Sequence, residues 1–176
     1  METVKIRKAV LADAQPILEL VNELALRQIM LPRSPGSVIE NIRDFVIAEE
    51  GGRFVGCGAL HVVWADLAEI RSIAVAPEQQ KRGFGRLMAE RLIEEARELG
   101  VARLFAFTYS PGFFGKLDFE VVEHASLPHK VFGDCRNCPK FLACDEIAMQ
   151  RVLDPAAVAP GGFARASDLM LPRLAR

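Results

Sequence analysis

The sequence has a single tyrosine and a single tryptophan, and nowhere a run approaching the roughly twenty apolar residues that span a bilayer. The N-terminus, METVKIRKAV, alternates polar and apolar residues and lacks the apolar core of a signal peptide. Neither sign of charge is in excess. The 22 Lys and Arg stand against 23 Asp and Glu, a formal net charge of −1, which argues against a general nucleic-acid binder. Cysteine is scarce as well: three of the four lie between Cys135 and Cys144, unlike the spaced framework of a secreted, disulfide-stapled domain. These absences lead to the expectation of a soluble, cytoplasmic protein with neither nucleic acid nor membrane as a partner.

What is present is 176 residues, 51% hydrophobic and 26% charged, enough for one domain with a real core. That domain is expected over residues 1–153, with a cysteine-containing loop at 125–144. Residues 154–176, rich in Ala, Pro and Gly with an amphipathic coda at Ala166–Leu174, are expected as a tail, docked or partly disordered. Val4 and Ile6 alternate with Lys5 and Arg7 as a first strand. Asp13 is placed to cap a helix from about Ala14 to Gln28, on which Ile17, Leu18, Val21, Leu24 and Ala25 recur at helical spacing. After the break at Met30–Gly36, Ser37 is expected to cap a short second helix. Phe45–Glu49 and Arg53–Trp64 read as strands joined by a tight turn at Gly51-Gly52.

The chain is organised around Ala68–Met88, AEIRSIAVAPEQQKRGFGRLM. It opens as a strand with Ile70, Ser72 and Ala74 on one face and Glu69, Arg71, Ile73 and Val75 on the other, and Pro77 should end it. Gly83 and Gly85 then fall at a strand-to-helix turn, where a ligand can approach the backbone closely. The new helix presents unpaired N–H groups and the positive end of its dipole, and Lys81, Arg82 and Arg86 add charge. Such a turn is a seat for a pyrophosphate. Leu87, Met88, Leu92, Ile93, Ala96 and Leu99 form the apolar stripe of the helix, Gly100 stops it, and Val101–Thr108 follows as a buried strand of the parallel kind. Strand, helix and strand make a right-handed crossover. Pro111-Gly112 opens a short helix with Phe113, Phe114 and Leu117. Phe119–Glu123 and Glu146–Leu153 read as further strands, the last pairing back into the sheet.

A Gln-x-x-Gly-x-Gly turn in this setting, with Glu69-Ile70 upstream and Phe113-Phe114-x-Lys116-Leu117-x-Phe119 downstream, resembles the GCN5-related N-acetyltransferases. The resemblance implies an α/β (α+β) fold: a mixed six- to seven-stranded sheet flanked by helices, with acetyl-CoA at the splay after the fourth strand. A narrower resemblance, to the stand-alone bacterial N-acetylglutamate synthases, is carried by Val55–Val62, Trp64, Asp66–Arg71, Phe107-Thr108-Tyr109 and the Leu31–Ser34 loop. It implies an amino-acid acceptor, L-glutamate, acetylated on its α-amine at the entry to arginine biosynthesis. Acetylation of another small amine or a protein N-terminus, and a non-catalytic acetyl-CoA-binding module, are the competing readings; assembly as a homodimer is left open.

The resemblance implies that the backbone of Ile73, Ala74 and Val75 aligns the pantetheine and acetyl group, and that Gln80, Lys81, Arg82, Gly83, Phe84 and Gly85 wrap the pyrophosphate, with Arg86 also in reach. Arg82 and Arg86 are otherwise solvated charges at a helix start. Amide formation requires a proton to leave an ammonium, and Glu69 is the candidate base; the alternative is that it pairs with Arg71 and only tunes the field. Many relatives protonate the departing thiolate with a tyrosine where this chain has Phe114, so Tyr109 is the candidate substitute; the alternatives are an aromatic packed under the substrate loop, or a thiolate that leaves without enzymic protonation. Arg33 and Arg71 are the candidate forks for a dianionic acceptor. His61 lies beside the substrate or is a satisfied strand histidine, and Cys57 is a small core residue. Cys135, Cys138 and Cys144, with His124 or His129, could hold zinc, but reduced thiols packing a loop are preferred, so no metal is expected.

Overall fold

A computed structural model of the protein describes residues 4–127, 140 and 143–157. Its elements are β1 (Val4–Lys8), α1 (Ala14–Leu26), α2 (Pro35–Glu40), β2 (Phe45–Glu50), β3 (Arg53–Trp64), β4 (Leu67–Val75), α3 (Phe84–Glu98), β5 (Arg103–Thr108), α4 (Pro111–Gly115), β6 (Glu120–Val121) and β7 (Ile147–Val152). The strands form one mixed sheet in the order β1-β2-β3-β4-β5-β7-β6, in which β4 and β5 alone run parallel. The β4–α3–β5 crossover is therefore as expected. Gly51 and Gly52 both take positive φ, the turn that two-residue hairpins favour.

Both helix starts differ in detail from expectation. Asp13 stands at the N-cap of α1 but makes no capping bond there. Its carboxylate accepts from Arg7 at 2.8 and 3.0 Å and from the Val10 N–H at 2.7 Å, because an arginine fork outcompetes a single helix N–H. Helix α1 ends at Leu26, and Gln28 sits beyond it at φ 59°. Ser34, not Ser37, caps α2: its Oγ accepts the Ser37 N–H at 3.1 Å, with Pro35 at the first helical position.

Helices sandwich the sheet. Met88, Leu92, Ile93 and Ala96 of α3 bury against Leu60, Ala68, Ile70 and Leu104, while Ile17, Val21 and Leu24 of α1 and Val38 of α2 cover Ile47, Cys57, Ala59 and Ala74 on the other face. Each fully buried Leu, Ile or Met contributes roughly 1.5–3 kcal/mol. Strand β4 does not alternate cleanly. Between Cys57 and Ala59, β3 advances two residues while β4 advances three, from Ala74 to Arg71, and Ser72 takes φ 55°. This bulge reverses the facing of everything after it. Ile70, Ile73 and Val75 all pack toward α3 and Ala74 toward α1, so the grouping of Ile70 with Ser72 and Ala74, and of Glu69 with Ile73 and Val75, is corrected. Gly58 leaves room for the Ile73 side chain beside the bulge: a Cβ there would overlap Cδ1 of Ile73, which would have to shift.

The sheet also splits. Strands β4 and β5 pair from Leu67–Arg103 to Glu69–Phe105 and then part, while β4 runs on to Val75 and β5 to Thr108. The facing edges beyond Glu69 and Phe105 border a cleft.

Candidate active site

The cleft has a volume of about 650 Å³ and runs from the start of α3 to the α1–α2 loop. On its α3 side, Pro77–Gln79 makes one turn of 3-10 helix, Gln80 is extended, Lys81 takes φ 63°, and Gly83 takes φ 92° as the N-cap of α3. The first intrahelical donor is Leu87, to the Gly83 carbonyl at 3.0 Å, so the N–H groups before it have no partner within the helix. Gly85 faces Ile73, Val75 and Phe113, and a Cβ on it would meet them at 3.5–3.8 Å, ordinary contact. Ile73, Val75, Gln80, Lys81, Gly83, Phe84, Gly85 and Arg86 all line the cleft. The Ala74 side chain packs on the opposite face, which leaves only its backbone for a ligand. The Gln80 amide donates to the Val75 carbonyl at 3.2 Å, and Arg86 donates to Glu90 one turn along at 2.7 Å. Arg82 turns away from the cleft: its guanidinium grips Glu50 at the end of β2.

On the other side, the two charged residues of β4 are buried together, Glu69 at 2% and Arg71 at 8% exposure. Arg71 Nη1 lies 3.7 Å from Glu69 Oε2, and Nη2 lies 4.0 Å from Asp44 Oδ2. Asp44 also holds His61 Nδ1 at 2.7 Å, so His61 is the satisfied strand histidine, directly across from Glu69 in register. The loop bearing Arg33 is pinned by Asn22 of α1, whose side chain accepts the Arg33 N–H at 2.9 Å and donates to its carbonyl at 3.0 Å. Arg33 Nε then donates to Ser72 Oγ at 3.3 Å, at the bulge. The structure thus brings together Glu69, Arg71 and Arg33, which the chain separates by up to 38 positions, counted from Arg33 to Arg71. Asn22, Asp44 and Glu146 were not singled out from sequence. Glu146 lines the cleft because β7 returns antiparallel to β5, pairing Ile147 with Thr108, a placement that only the register reveals.

Tyr109 lies at the end of β5 on the cleft wall. Its hydroxyl donates to Asp145 Oδ1 at 2.7 Å and accepts from Lys140 Nζ at 2.9 Å. Burial pushes its pKa above the ordinary phenol value, against the opposing pull of Lys140. Phe114 is buried edge-to-face with Phe113 and Phe119, at centroid distances of 5.1 and 5.2 Å. Cys57 is fully buried, which pushes its thiol up to about 12 and makes it a poor nucleophile. Among the described residues no three His, Cys, Asp or Glu gather as a metal site; Cys135, Cys138 and His129 lie outside them. Nor is any described helix long and apolar enough to cross a membrane.

The buried Glu69–Arg71 pair thus lies where β4 and β5 part, in the same cleft as the glycine turn that starts α3. The model of the acetyltransferase (GNAT) family matches residues 18–119, and the chain belongs to that family. It is an N-acetyltransferase. An uncharacterised N-acetyltransferase from Chlorobaculum tepidum is 43% identical over 148 residues, 84% of this chain and 96% of its own length. An amino-acid acetyltransferase of Mycobacterium tuberculosis is 36% identical over 136 residues, 75% of this chain and 78% of its own. Among solved structures, the N-acetylglutamate synthase of Neisseria gonorrhoeae, crystallised with coenzyme A and N-acetyl-glutamate, aligns with a TM-score of 0.77 at 30% identity. The alignment covers 87% of this chain but only 36% of that synthase.

Proposed function

We propose that the enzyme transfers the acetyl group of acetyl-CoA to the α-amine of an amino acid, with L-glutamate as the acceptor. The observation that carries this reading is the burial of Glu69 against Arg71 at the point where β4 and β5 part, with Arg33 reaching the same strand from the α1–α2 loop. Arginines that line a cleft favour carboxylates and discriminate against polyamines or aminoglycosides, whose cationic groups they would repel. The named relatives support the same acceptor class.

The donor half follows from the open edge of β4 and the α3 turn. Backbone groups of Ile73 and Val75 lie along the cleft, where they can pair with pantetheine amides, and the N–H groups around Gly83–Arg86 point positive charge at a pyrophosphate. Glu69 accepts a proton from the acceptor ammonium, directly or through water. The freed nitrogen lone pair attacks the thioester carbonyl, the C–S bond breaks as the second nitrogen proton passes to solvent, and the thiolate takes the Tyr109 hydroxyl proton, which solvent restores, or leaves unprotonated. No covalent enzyme intermediate is required.

A thiol-release assay over a panel of amines tests the proposal. Release of CoA is expected with L-glutamate and not with polyamines, and Glu69→Gln should lower kcat by about a hundredfold while CoA still binds. Turnover with cationic amines in preference to glutamate, or none with any amine, would overturn it.

A further inference from the structure

Lys81 and Gly83 both lie in the left-handed region, at φ 63° and 92°. Lys81 gains no exemption from the Cβ strain that this conformation imposes. The residue between them, Arg82, is held from three directions. Its two Nη atoms donate to both oxygens of Glu50, at 2.8 and 2.7 Å. One of them also donates to the Gln79 side chain, and the guanidinium carbon lies 5.2 Å from the centroid of the Phe84 ring. Glu50 is 7% exposed, at the last position of β2, and Arg82 holds its carboxyl below the usual range.

We infer that Arg82 is a positioning residue, not a phosphate ligand: the Glu50–Arg82 clamp fixes the glycine turn in its cofactor-ready shape. This inference rests on CoA binding at that turn. A bidentate fork specifies orientation as well as charge, so the clamp ties the turn to the rigid end of β2 and removes a conformational cost that binding would otherwise bear. Glu50 is poorly placed for any other purpose beside an anion seat. An unneutralised carboxylate there would repel a phosphate, and Arg82, gripped by Glu50, is not among the residues that line the cleft.

The two roles predict opposite effects of one substitution. If Arg82 touches the pyrophosphate, Glu50→Gln frees it and removes a repelling charge, and CoA binds more tightly. If the pair is a clamp, Glu50→Gln and Arg82→Gln each weaken CoA binding by about tenfold, and the double variant is no weaker than either single one. Arg82→Lys, which keeps the charge and loses the fork, should behave like Arg82→Gln. Calorimetric titration of CoA into the full-length protein reads all of these without turnover, and kcat at saturating acetyl-CoA should stay within about twofold of wild type. Arg82 is half exposed, so its variants retain the core and report even if Glu50→Gln fails to fold. Wild-type binding with tighter or unchanged affinity in Glu50→Gln, or wild-type affinity in Arg82→Lys, would overturn the clamp. Absence of CoA binding by the wild type would instead refute the donor-site reading.

Discussion

Tyr109 is a single phenol set between a carboxylate and an ammonium, and the pull of each is legible in its chemistry. Asp145 accepts a hydrogen bond from its hydroxyl, Lys140 donates to its oxygen, and burial dominates, so the hydroxyl stays protonated beyond its ordinary value of 10.0. A proton that is retained through neutral pH is available to a thiolate leaving group. If it is used, Tyr109→Phe should lower kcat by about tenfold with little change in either KM, and the wild-type rate should fall only above pH 10, a limb missing from the variant. A stopped-flow pH profile of both proteins checks this, and an unchanged kcat would leave Tyr109 as a wall of the cleft. Sequence reading reached Tyr109 because it is the sole tyrosine. It did not reach Asp145 or Lys140, which become neighbours only through the β5–β7 pairing.

Among the elements, the turn between β4 and α3 contains two glycines with different jobs. Gly83 sits at φ 92° with open space where a side chain would go, whereas Gly85 has ordinary backbone but faces the cleft lining. Gly83→Ala should therefore cost about 1–2 kcal/mol of stability through backbone strain alone. Gly85→Ala should leave the melting temperature within error and raise the KM for acetyl-CoA severalfold, since its methyl occupies ligand space. Thermal melts beside initial-rate kinetics separate the two, and equal stability losses would refute the assignment. The spacing of these glycines is visible in one dimension. The β4 bulge is not, because Ser72 carries no special propensity for positive φ and the room for Ile73 comes from Gly58 on another strand.

At the scale of the whole molecule, Arg7 joins three elements: it donates to Asp13 at the start of α1 and to Glu49 of β2 from its own place on β1. Arg7 holds the Asp13 carboxyl below its usual value of 3.8. A depressed folded-state pKa means stability that is present above the unfolded value and lost as pH falls through the folded one. Asp13→Asn should thus cost about 1–3 kcal/mol at pH 7, and the gap from wild type should close progressively below about pH 4. Urea melts at pH 7 and pH 3 measure it; a constant gap would exclude the ion pair as the source.

The order of strands and helices, the crossover and the position of the glycine turn followed from the sequence by itself, because apolar periodicity and turn residues act over a few neighbours. The tertiary structure alone decided which charges share a space. It placed Arg33 over Ser72, joined Asp44 to Arg71 and His61, and turned Arg82 from the cleft to Glu50, 32 residues away. Long charged side chains have many partners within reach, and only the packed sheet, with its bulge at Ser72 and its split after Glu69, selects among them.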